Sequence, residues 1–450
     1  MKLFFNLSPG AGKRSKLYTR LICFVLITVL LFSYGQGLNT YAETSQDTQK
    51  SQEAQNNQDT ENNQEQKSDQ NTQNNQNTSN QNAAATADAA ALDISSESAV
   101  LIEGSTGTII YEKNKDQKRN PASITKIMTL LLIFEALASG KIKLEDQVSV
   151  SEYAASMGGS QVYLEPFETQ DVNTMIKCIS IASANDASVA MAEYIAGSEE
   201  SFVNMMNAKA KELGMNNTNF VNSCGLDVDN HYSTAYDVAL MSRELITKYP
   251  QISEYSTVWM DTITHTTKKG QSEFGLTNTN KLIKSYNGIT GLKTGSTSLA
   301  KYCFSATAKR DGMDMIAVVM AAPETKVRFR EAAKMMDYGF ANCSIYSDEN
   351  TDLAVTPIPV KKGVADTLNY RVNDKFSYLC LKGTNPAEIT KTVTINESVS
   401  APVKENDKVG EVTYQLDGKT LGKVDIVAAE NIAEAKFKDY FKAAFKKLLL

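Results

Sequence analysis

Histidine is nearly absent from this 450-residue chain, which carries only His231 and His265. There is no H-E-x-x-H motif, so a zinc site built from several histidines is not expected. A Ser-His-Asp triad also has few candidates for its base. We therefore expect no metal and no cofactor, and look for the base of any serine nucleophile among other residue types.

Neither a disulfide framework nor a nucleic-acid surface is expected from the composition. Cys23 lies in the N-terminal leader, and the other five cysteines form an odd set without short repeated spacing. They are Cys178, Cys224, Cys303, Cys343 and Cys380. We interpret them mostly as small buried hydrophobic residues, with room for one pair. The net charge of −6 gives no reason to expect nucleic acid as a partner.

Large apolar residues are missing from residues 43–91. This segment has no Val, Ile, Leu, Met, Phe, Tyr or Trp and consists mainly of Gln, Asn, Thr, Ser and Ala. Because it has nothing to bury, it cannot offset its ordering entropy, and we predict a disordered linker. Its role is either reach from a membrane or wall to a substrate, or that of a simple spacer.

Residues 1–42 have the pattern of a signal peptide. The basic residues of the leader are Lys13, Arg14, Lys16 and Arg20. The apolar run that follows, Leu21 to Phe32, is short for a membrane span, and Thr40 and Ala42 are small residues suited to a cleavage site. An uncleaved N-terminal anchor is the alternative. Either outcome places the rest of the chain outside the cytoplasm.

Residues 92–350 have the pattern of an α+β domain. Hairpins are predicted at Ala99–Tyr111 and at Tyr302–Met320, the second around Asp311-Gly312. The middle is largely helical, with helices predicted over 123–138, 175–181 and 187–195. Strands at both ends of the domain indicate one sheet that joins its first and last segments.

Two further units are predicted after this domain. Short runs of Val, Ile, Leu and Tyr between polar turns predict a small all-β domain over residues 351–428, with a supporting role. Residues 429–450 predict a basic amphipathic helix that begins near Ile432. Its apolar face consists of Phe437, Tyr440, Phe441, Ala444, Phe445 and Leu448. Such a helix binds a membrane surface; docking on the β domain is the alternative.

The tetrapeptide Ser123-Ile124-Thr125-Lys126 is the first motif that carries chemistry. Residues i and i+3 of a helix share a face, so the Lys126 amine can reach the Ser123 hydroxyl. A serine needs a base to become a nucleophile, and a lysine with a lowered pKa can serve. The motif is short, and a second copy runs from Ser298 to Lys301.

Two more motifs supply partners for this pair. Ser183-Ala184-Asn185 offers a hydroxyl for proton relay and an amide that can hold the lysine, although Ser285-Tyr286-Asn287 has the same pattern. Lys293-Thr294-Gly295 occurs once. On a strand its lysine would lie beside Lys126 and favour the neutral amine, its threonine would bind a terminal carboxylate, and its glycine would admit a substrate backbone.

The three motifs occur in the order and local settings of the S-x-x-K, S-D-N and K-T-G set of penicillin-recognising enzymes. Residues 120–129, 233–237 and 306–312 strengthen the likeness. The chain resembles the low-molecular-mass penicillin-binding proteins, serine-type D-Ala-D-Ala carboxypeptidases of peptidase family S11. This resemblance covers residues 92–350 and extends to the β domain and terminal helix. It implies the penicillin-binding/β-lactamase-like transpeptidase fold, a sheet with a helical cluster.

The resemblance also implies a role for each motif residue. Ser123 would form the acyl-enzyme, Lys126 would be its base, and Ser183 would complete the catalytic set. The substrate-binding residues would be Asn185, Lys293, Thr294, Gly295 and Ser296. The backbone N–H groups of Ser123 and Ser296 would form the oxyanion hole.

Some residues depart from the family pattern or lack a clear place in it. Ala184 and Lys301 stand where the family commonly has glycine, which affects the shape of the groove rather than the chemistry. Arg328 and Arg330 are candidates to assist carboxylate binding. His231 is expected to be structural, because Lys126 is available as the base.

The function implied is removal of the terminal D-alanine from peptidoglycan stem pentapeptides, with β-lactams acylating the same serine. The expected partners are stem peptides, β-lactam antibiotics and, through the terminal helix, a membrane surface. The expected location is the outer face of the cytoplasmic membrane or the cell wall. A β-lactamase or a DD-transpeptidase of the same fold is the alternative. A non-catalytic wall-binding protein is more distant, because the catalytic set is complete.

Overall fold

The structure is a computed structural model that describes residues 92–350, residue 353 and residues 356–448. The predicted signal peptide and the predicted linker lie outside the described residues. So does most of the strand-like run over residues 353–355.

One antiparallel sheet organises the first domain. Its strands and two smaller ribbons are β1 Ser98–Glu103, β2 Ile109–Lys113, β3 Gln147–Ser149, β4 Thr169–Asp171, β5 Met260–Thr267, β6 Gly270–Thr277, β7 Ile289–Thr297, β8 Lys301–Arg310 and β9 Met313–Ala322. The main sheet has the order β2-β1-β9-β8-β7. Leu101 of β1 lies opposite Ala317 of β9. The prediction that the first and last segments share one sheet is therefore confirmed.

Helices cover both faces of this sheet. They are α1 Lys126–Ala138, α2 Glu152–Ala155, α3 Val172–Lys177, α4 Asn185–Ala196, α5 Glu199–Glu212, α6 Ala235–Lys248, α7 Ile252–Ser256 and α8 Thr325–Asn342. Alternate residues of β1 lie on opposite faces of the sheet. Val100 and Ile102 pack in the core built around α1, whereas Ala99 and Leu101 pack in the core that includes α8. The predicted α+β architecture is confirmed.

The start of the central helix differs from the prediction in one useful detail. Helix α1 begins at Lys126, because Ala122–Thr125 form a 3₁₀ turn ahead of it. In a 3₁₀ turn, residues i and i+3 eclipse one another. This turn carries Ser123 directly ahead of Lys126, whose Nζ lies 3.2 Å from Ser123 Oγ.

The second motif follows a widened helical turn. The sequence predicted regular helix to Ile181, but Cys178–Ala182 forms a π-helical turn that ends at Ser183 with φ of 63°. A π turn inserts an extra residue per turn, and the left-handed Ser183 then redirects the chain. As a result Asn185 is the first residue of α4 and points into the core of the domain.

The second domain is all-β, as predicted. Its strands are β10 Cys343–Asp348, β11 Ile358–Lys361, β12 Thr367–Leu368, β13 Tyr370–Val372, β14 Phe376–Leu381, β15 Thr390–Ile395, β16 Val399–Ser400, β17 Lys408–Leu416 and β18 Lys419–Ala428. The Phe376 and Tyr414 rings stack at its centre, 3.8 Å apart. Strand β10 directly follows α8 and pairs with β14, so sheet pairing of this domain starts ahead of residue 351.

The five cysteines of the described chain are all free thiols. Cys178, Cys224, Cys303 and Cys380 are buried, and Cys343 is partly buried. The interpretation of the cysteines as small hydrophobic residues is confirmed, and the one pair for which the sequence left room does not form.

The terminal helix, α9, spans Phe437–Leu448 and does not begin at Ile432. Ile432 is buried and exchanges two backbone hydrogen bonds of 2.9 Å with Val403, so the residues before the helix complete the β domain. Phe437 is 86% exposed, and Tyr440 and Phe441 are also exposed. No helix in the described part of the chain is long and apolar enough to cross a membrane.

Candidate active site

Ser123 and Lys126 form the centre of the site. Lys126 Nζ lies 3.2 Å from Ser123 Oγ, and the lysine side chain is completely buried. The pairing predicted from the S-x-x-K spacing is therefore present in the fold. The second copy of the motif has a different setting: Lys301 is at the surface and forms an ion pair with Glu97.

The partners of Lys126 are neutral groups. Its amine donates to Asn185 Oδ1 at 2.6 Å and to the backbone carbonyl of Cys224 at 2.7 Å. Burial lowers the pKa of Lys126 to about 8, and electrostatic interactions with Cys224 and Asp186 oppose this shift only in part. A substantial fraction of the amine is therefore unprotonated at slightly alkaline pH.

Asn185 connects the Ser183-Ala184-Asn185 motif to Lys126. Its Nδ2 donates to the Gly158 carbonyl at 2.7 Å, and its backbone N–H donates to the Ser160 carbonyl at 2.7 Å. These bonds fix the amide so that Oδ1 faces Lys126. Ser183 is nearly buried beside it, but its hydroxyl makes no hydrogen bond to Lys126 among the described residues.

Asp186, which sequence reasoning did not single out, holds the adjoining loop. Its carboxylate accepts the backbone N–H groups of Val162, Leu164 and Ala187. Burial raises the pKa of this carboxyl, and the three hydrogen bonds oppose the rise. The residue therefore braces the loop that carries Gly158 and Ser160, the two acceptors that orient Asn185.

The K-T-G motif lies on β7, at the edge of the main sheet. Lys293 is buried, and its amine donates to the Thr294 carbonyl at 3.2 Å. Burial, and then the charges of Lys126 and Arg328, hold the pKa of Lys293 well below its usual value. The charge of Lys126 thus contributes to the shift at Lys293, whereas burial, opposed by Cys224 and Asp186, sets the pKa of Lys126; the effect that was predicted for Lys293 on Lys126 is not found. Thr294 Oγ1 lies 2.6 Å from Thr279 Oγ1.

Gly295 packs against the turn that carries Ser123. A Cβ atom at this position would lie 2.8 Å from the backbone nitrogen of Ser123 and 2.9 Å from that of Ile124. The close approach that requires glycine is therefore made by the turn that carries the nucleophile. Ser296, the next residue, is exposed at the mouth of the site.

The two arginines considered for carboxylate binding lie in different environments. Arg328 is buried, and its Nη1 donates to the carbonyls of Gly295, at 2.8 Å, and Cys303. It therefore braces β7 and β8 through their backbone. Arg330 is exposed on α8.

His231 has a structural setting, as expected. The backbone N–H of Val221 donates to its Nδ1, so the proton is on Nε2, which lies 2.9 Å from Thr125 Oγ1. Burial lowers the pKa of His231 to about 4, which keeps the ring neutral. The histidine thus anchors the turn that carries Ser123, through its contact with Thr125.

Comparison with known proteins adds the family. The family model of D-alanyl-D-alanine carboxypeptidases, peptidase family S11, matches residues 82–324, and the model of the C-terminal domain of penicillin-binding protein 5 matches residues 345–434. The chain belongs to peptidase family S11.

Individual relatives agree with this assignment. The D-alanyl-D-alanine carboxypeptidase DacF of Bacillus subtilis is 44% identical over 77% of this chain and 88% of its own length. DacA of Escherichia coli is 34% identical over 78% of this chain and 88% of its own length. The crystal structure of penicillin-binding protein 5 from Haemophilus influenzae superposes with a TM-score of 0.64 at 29% identity, covering 76% of this chain and 98% of that one.

We predict that Gly295→Ala slows acylation by a fluorescent penicillin by about 10-fold or more, because the added methyl displaces the Ser123 turn. The measurement is the rate of covalent labelling. Gly275→Ala in β6 is the matched control, because a Cβ there meets no atom within 4 Å. Equal labelling rates in the two variants would contradict the close packing of β7 on the nucleophile turn.

Proposed function

We propose that this S11 enzyme removes the terminal D-alanine from peptidoglycan stem pentapeptides through an acyl-enzyme on Ser123. The observation that carries the proposal is a buried lysine amine 3.2 Å from the serine hydroxyl, with a pKa of about 8 and neutral partners. Such an amine can accept a proton at the pH of a cell surface. Family membership and the carboxypeptidase relatives support the same activity.

The first chemical step is acylation. Lys126 takes the hydroxyl proton of Ser123 while Oγ attacks the carbonyl of the penultimate D-alanine. The C–N bond then breaks, and the amine of the departing D-alanine takes up a proton, from Lys126 directly or through Ser183. In the second step water attacks the ester carbonyl while Lys126 accepts its proton; the bond between the acyl carbon and Oγ then breaks, and Lys126 returns the proton to Oγ, which restores Ser123 and releases the carboxylic acid product.

The negative charge that develops on the oxygen of the substrate carbonyl needs hydrogen-bond donors within reach of that oxygen. We assign this role to the backbone N–H groups of Ser123 and Ser296. The packing of Gly295 against the Ser123 nitrogen brings the two backbones into contact, which supports the assignment. Donors held in this way need no reorganisation during the reaction.

Strand β7 is suited to bind the end of the peptide. It is the edge strand of the main sheet, so its outer backbone groups can pair with an extended substrate. We assign the terminal carboxylate to Lys293 and Thr294, because a carboxylate beside the buried lysine would compensate the cost of its charge. β-Lactams present the same carboxylate and acylate the same serine.

We predict that Ser123→Ala abolishes release of free D-alanine from a diacyl-Lys-D-Ala-D-Ala peptide, because no other group can carry the acyl chain. Free D-alanine is measured enzymatically over time. Ser298→Ala removes the serine of the second S-x-x-K copy and should retain parental activity. Release by the Ser123 variant at the parental rate would remove this serine from the mechanism.

The rate of acylation should rise with pH, with a midpoint near the Lys126 pKa of about 8. Below the midpoint the amine is protonated and cannot accept the serine proton, and above it the rate levels off. Single-turnover acylation by a penicillin gives the profile. Lys126→Ala should lose it, whereas Lys301→Ala, at the exposed second copy, should reproduce it. A rate independent of pH would argue against a lysine base.

We also propose that the enzyme is exported and that α9 holds it at the outer face of the cytoplasmic membrane. The exposed rings of Phe437, Tyr440 and Phe441 support this, together with the exposed Lys438 and Lys442. Aromatic side chains enter the acyl region while lysines meet anionic headgroups. Since Ile432 belongs to the β domain, a truncation that tests the anchor must begin after residue 436.

Replacing Phe437, Tyr440 and Phe441 together by serine should reduce co-sedimentation with vesicles that contain phosphatidylglycerol, because the apolar contact is lost. Phe167→Ser removes an aromatic ring that is 68% exposed in the first domain and serves as the control. Unchanged co-sedimentation of the triple variant would refute the anchor.

A further inference from the structure

A short loop, residues 222–226, supplies the carbonyl that binds Lys126, and it is organised by one side chain. Asn222 Oδ1 accepts the backbone N–H groups of Cys224, Gly225 and Leu226, at 3.3, 2.7 and 3.2 Å. Its Nδ2 donates to the Leu226 carbonyl at 3.0 Å. With the N–H groups turned toward Asn222, the Cys224 carbonyl is free to point at Lys126.

The loop lies directly against the turn that carries the nucleophile. Gly225 has φ of 87°, and a Cβ there would lie 1.9 Å from the Ala122 carbonyl oxygen and 2.9 Å from Thr125 Oγ1. No side chain fits between the two backbones. A small rotation of the loop therefore moves the Cys224 carbonyl relative to both Ser123 and Lys126.

A second anchor secures the same loop from the opposite side. Glu199 Oε1, in the first turn of α5, accepts the backbone N–H of Ser223 at 2.9 Å and its hydroxyl at 2.7 Å. Thr129 Oγ1, one turn beyond Lys126 in α1, donates to the Ser223 carbonyl at 2.5 Å. The loop is thus joined to the helix of the base as well as to the base itself.

The geometry of a neutral amine explains how these contacts orient Lys126. A neutral lysine has two N–H bonds and one lone pair. Asn185 Oδ1 and the Cys224 carbonyl accept two N–H bonds, so the lone pair remains for the third neighbour, Ser123 Oγ. We propose that Asn222 is a positioning residue, which fixes the Cys224 carbonyl and thereby aims the lone pair of Lys126 at the nucleophile. This inference rests on the proposed role of Lys126 as base.

The test is the single-turnover rate of acylation of the full chain by a fluorescent penicillin, followed across pH in Asn222→Ala and Asn222→Asp. Asn222→Ala should lower the limiting rate at high pH by about 10- to 100-fold, the usual cost of a misdirected reacting group. Asn222→Asp keeps the acceptor and should retain a rate near the parental one. Its added negative charge acts in the same direction as that of Asp186 and should shift the midpoint to higher pH, since burial holds the other titratable groups near Lys126, the Cys224 thiol and the Lys293 amine, toward their neutral forms.

Asn219→Ala is the matched control, because among the described residues the Asn219 side chain bonds the Asn230 carbonyl, in a neighbouring turn, and no group of the loop 222–226. The rate constant of a single turnover does not depend on how much protein is folded, whereas its amplitude does. If Asn222→Ala loses amplitude but keeps the rate constant and midpoint of Asn219→Ala, Asn222 is merely structural and the inference is wrong. If Lys126→Ala is acylated like the parent, the proposed base fails first, and the inference fails with it.

Discussion

The removal of one amine from water is the constraint on which this site depends. Lys126 is wholly buried, and its pKa falls from 10.5 to about 8, which lowers the free-energy cost of the neutral form by roughly 3 kcal/mol. Neutral acceptors satisfy the amine without restoring its charge, since an amide oxygen and a peptide carbonyl replace the carboxylate that a surface lysine would find. A serine peptidase can therefore work with lysine in place of histidine.

The fold supplies what this constraint requires. Three segments distant in sequence close over the amine: the 3₁₀ turn before α1, the start of α4, and the loop 222–226. Strand β7 then packs on the nucleophile turn so tightly that only Gly295 fits. Buried side chains hold these segments from outside the reaction zone, Asp186 through a loop, Arg328 through strand carbonyls and His231 through Thr125.

Sequence reasoning reached much of this site. The spacing of Ser123 and Lys126, the single Lys293-Thr294-Gly295 motif and the hairpin at Asp311-Gly312 all correspond to local rules of helix and strand geometry, and the structure has them. It missed the Cys224 carbonyl and Asp186. A peptide carbonyl leaves no mark on the residue that carries it, and a buried aspartate that accepts only backbone N–H groups resembles a capping residue in sequence. Sequence reasoning also did not find the contact of Gly295 with the Ser123 turn, because the sequence says that space is scarce there but not what fills it.

The sequence alone indicated the class of fold and the family, and it was enough to propose Ser123 as nucleophile and Lys126 as base, because these depend on residue identity, order and periodicity. Tertiary structure decided which of two S-x-x-K copies becomes a site. Ser298 and Lys301 satisfy the same pattern, but Lys301 remains at the surface and pairs with Glu97. Lys126 is enclosed by segments from across the chain. Burial is a property of the whole fold, and it is burial that turns a lysine into a base.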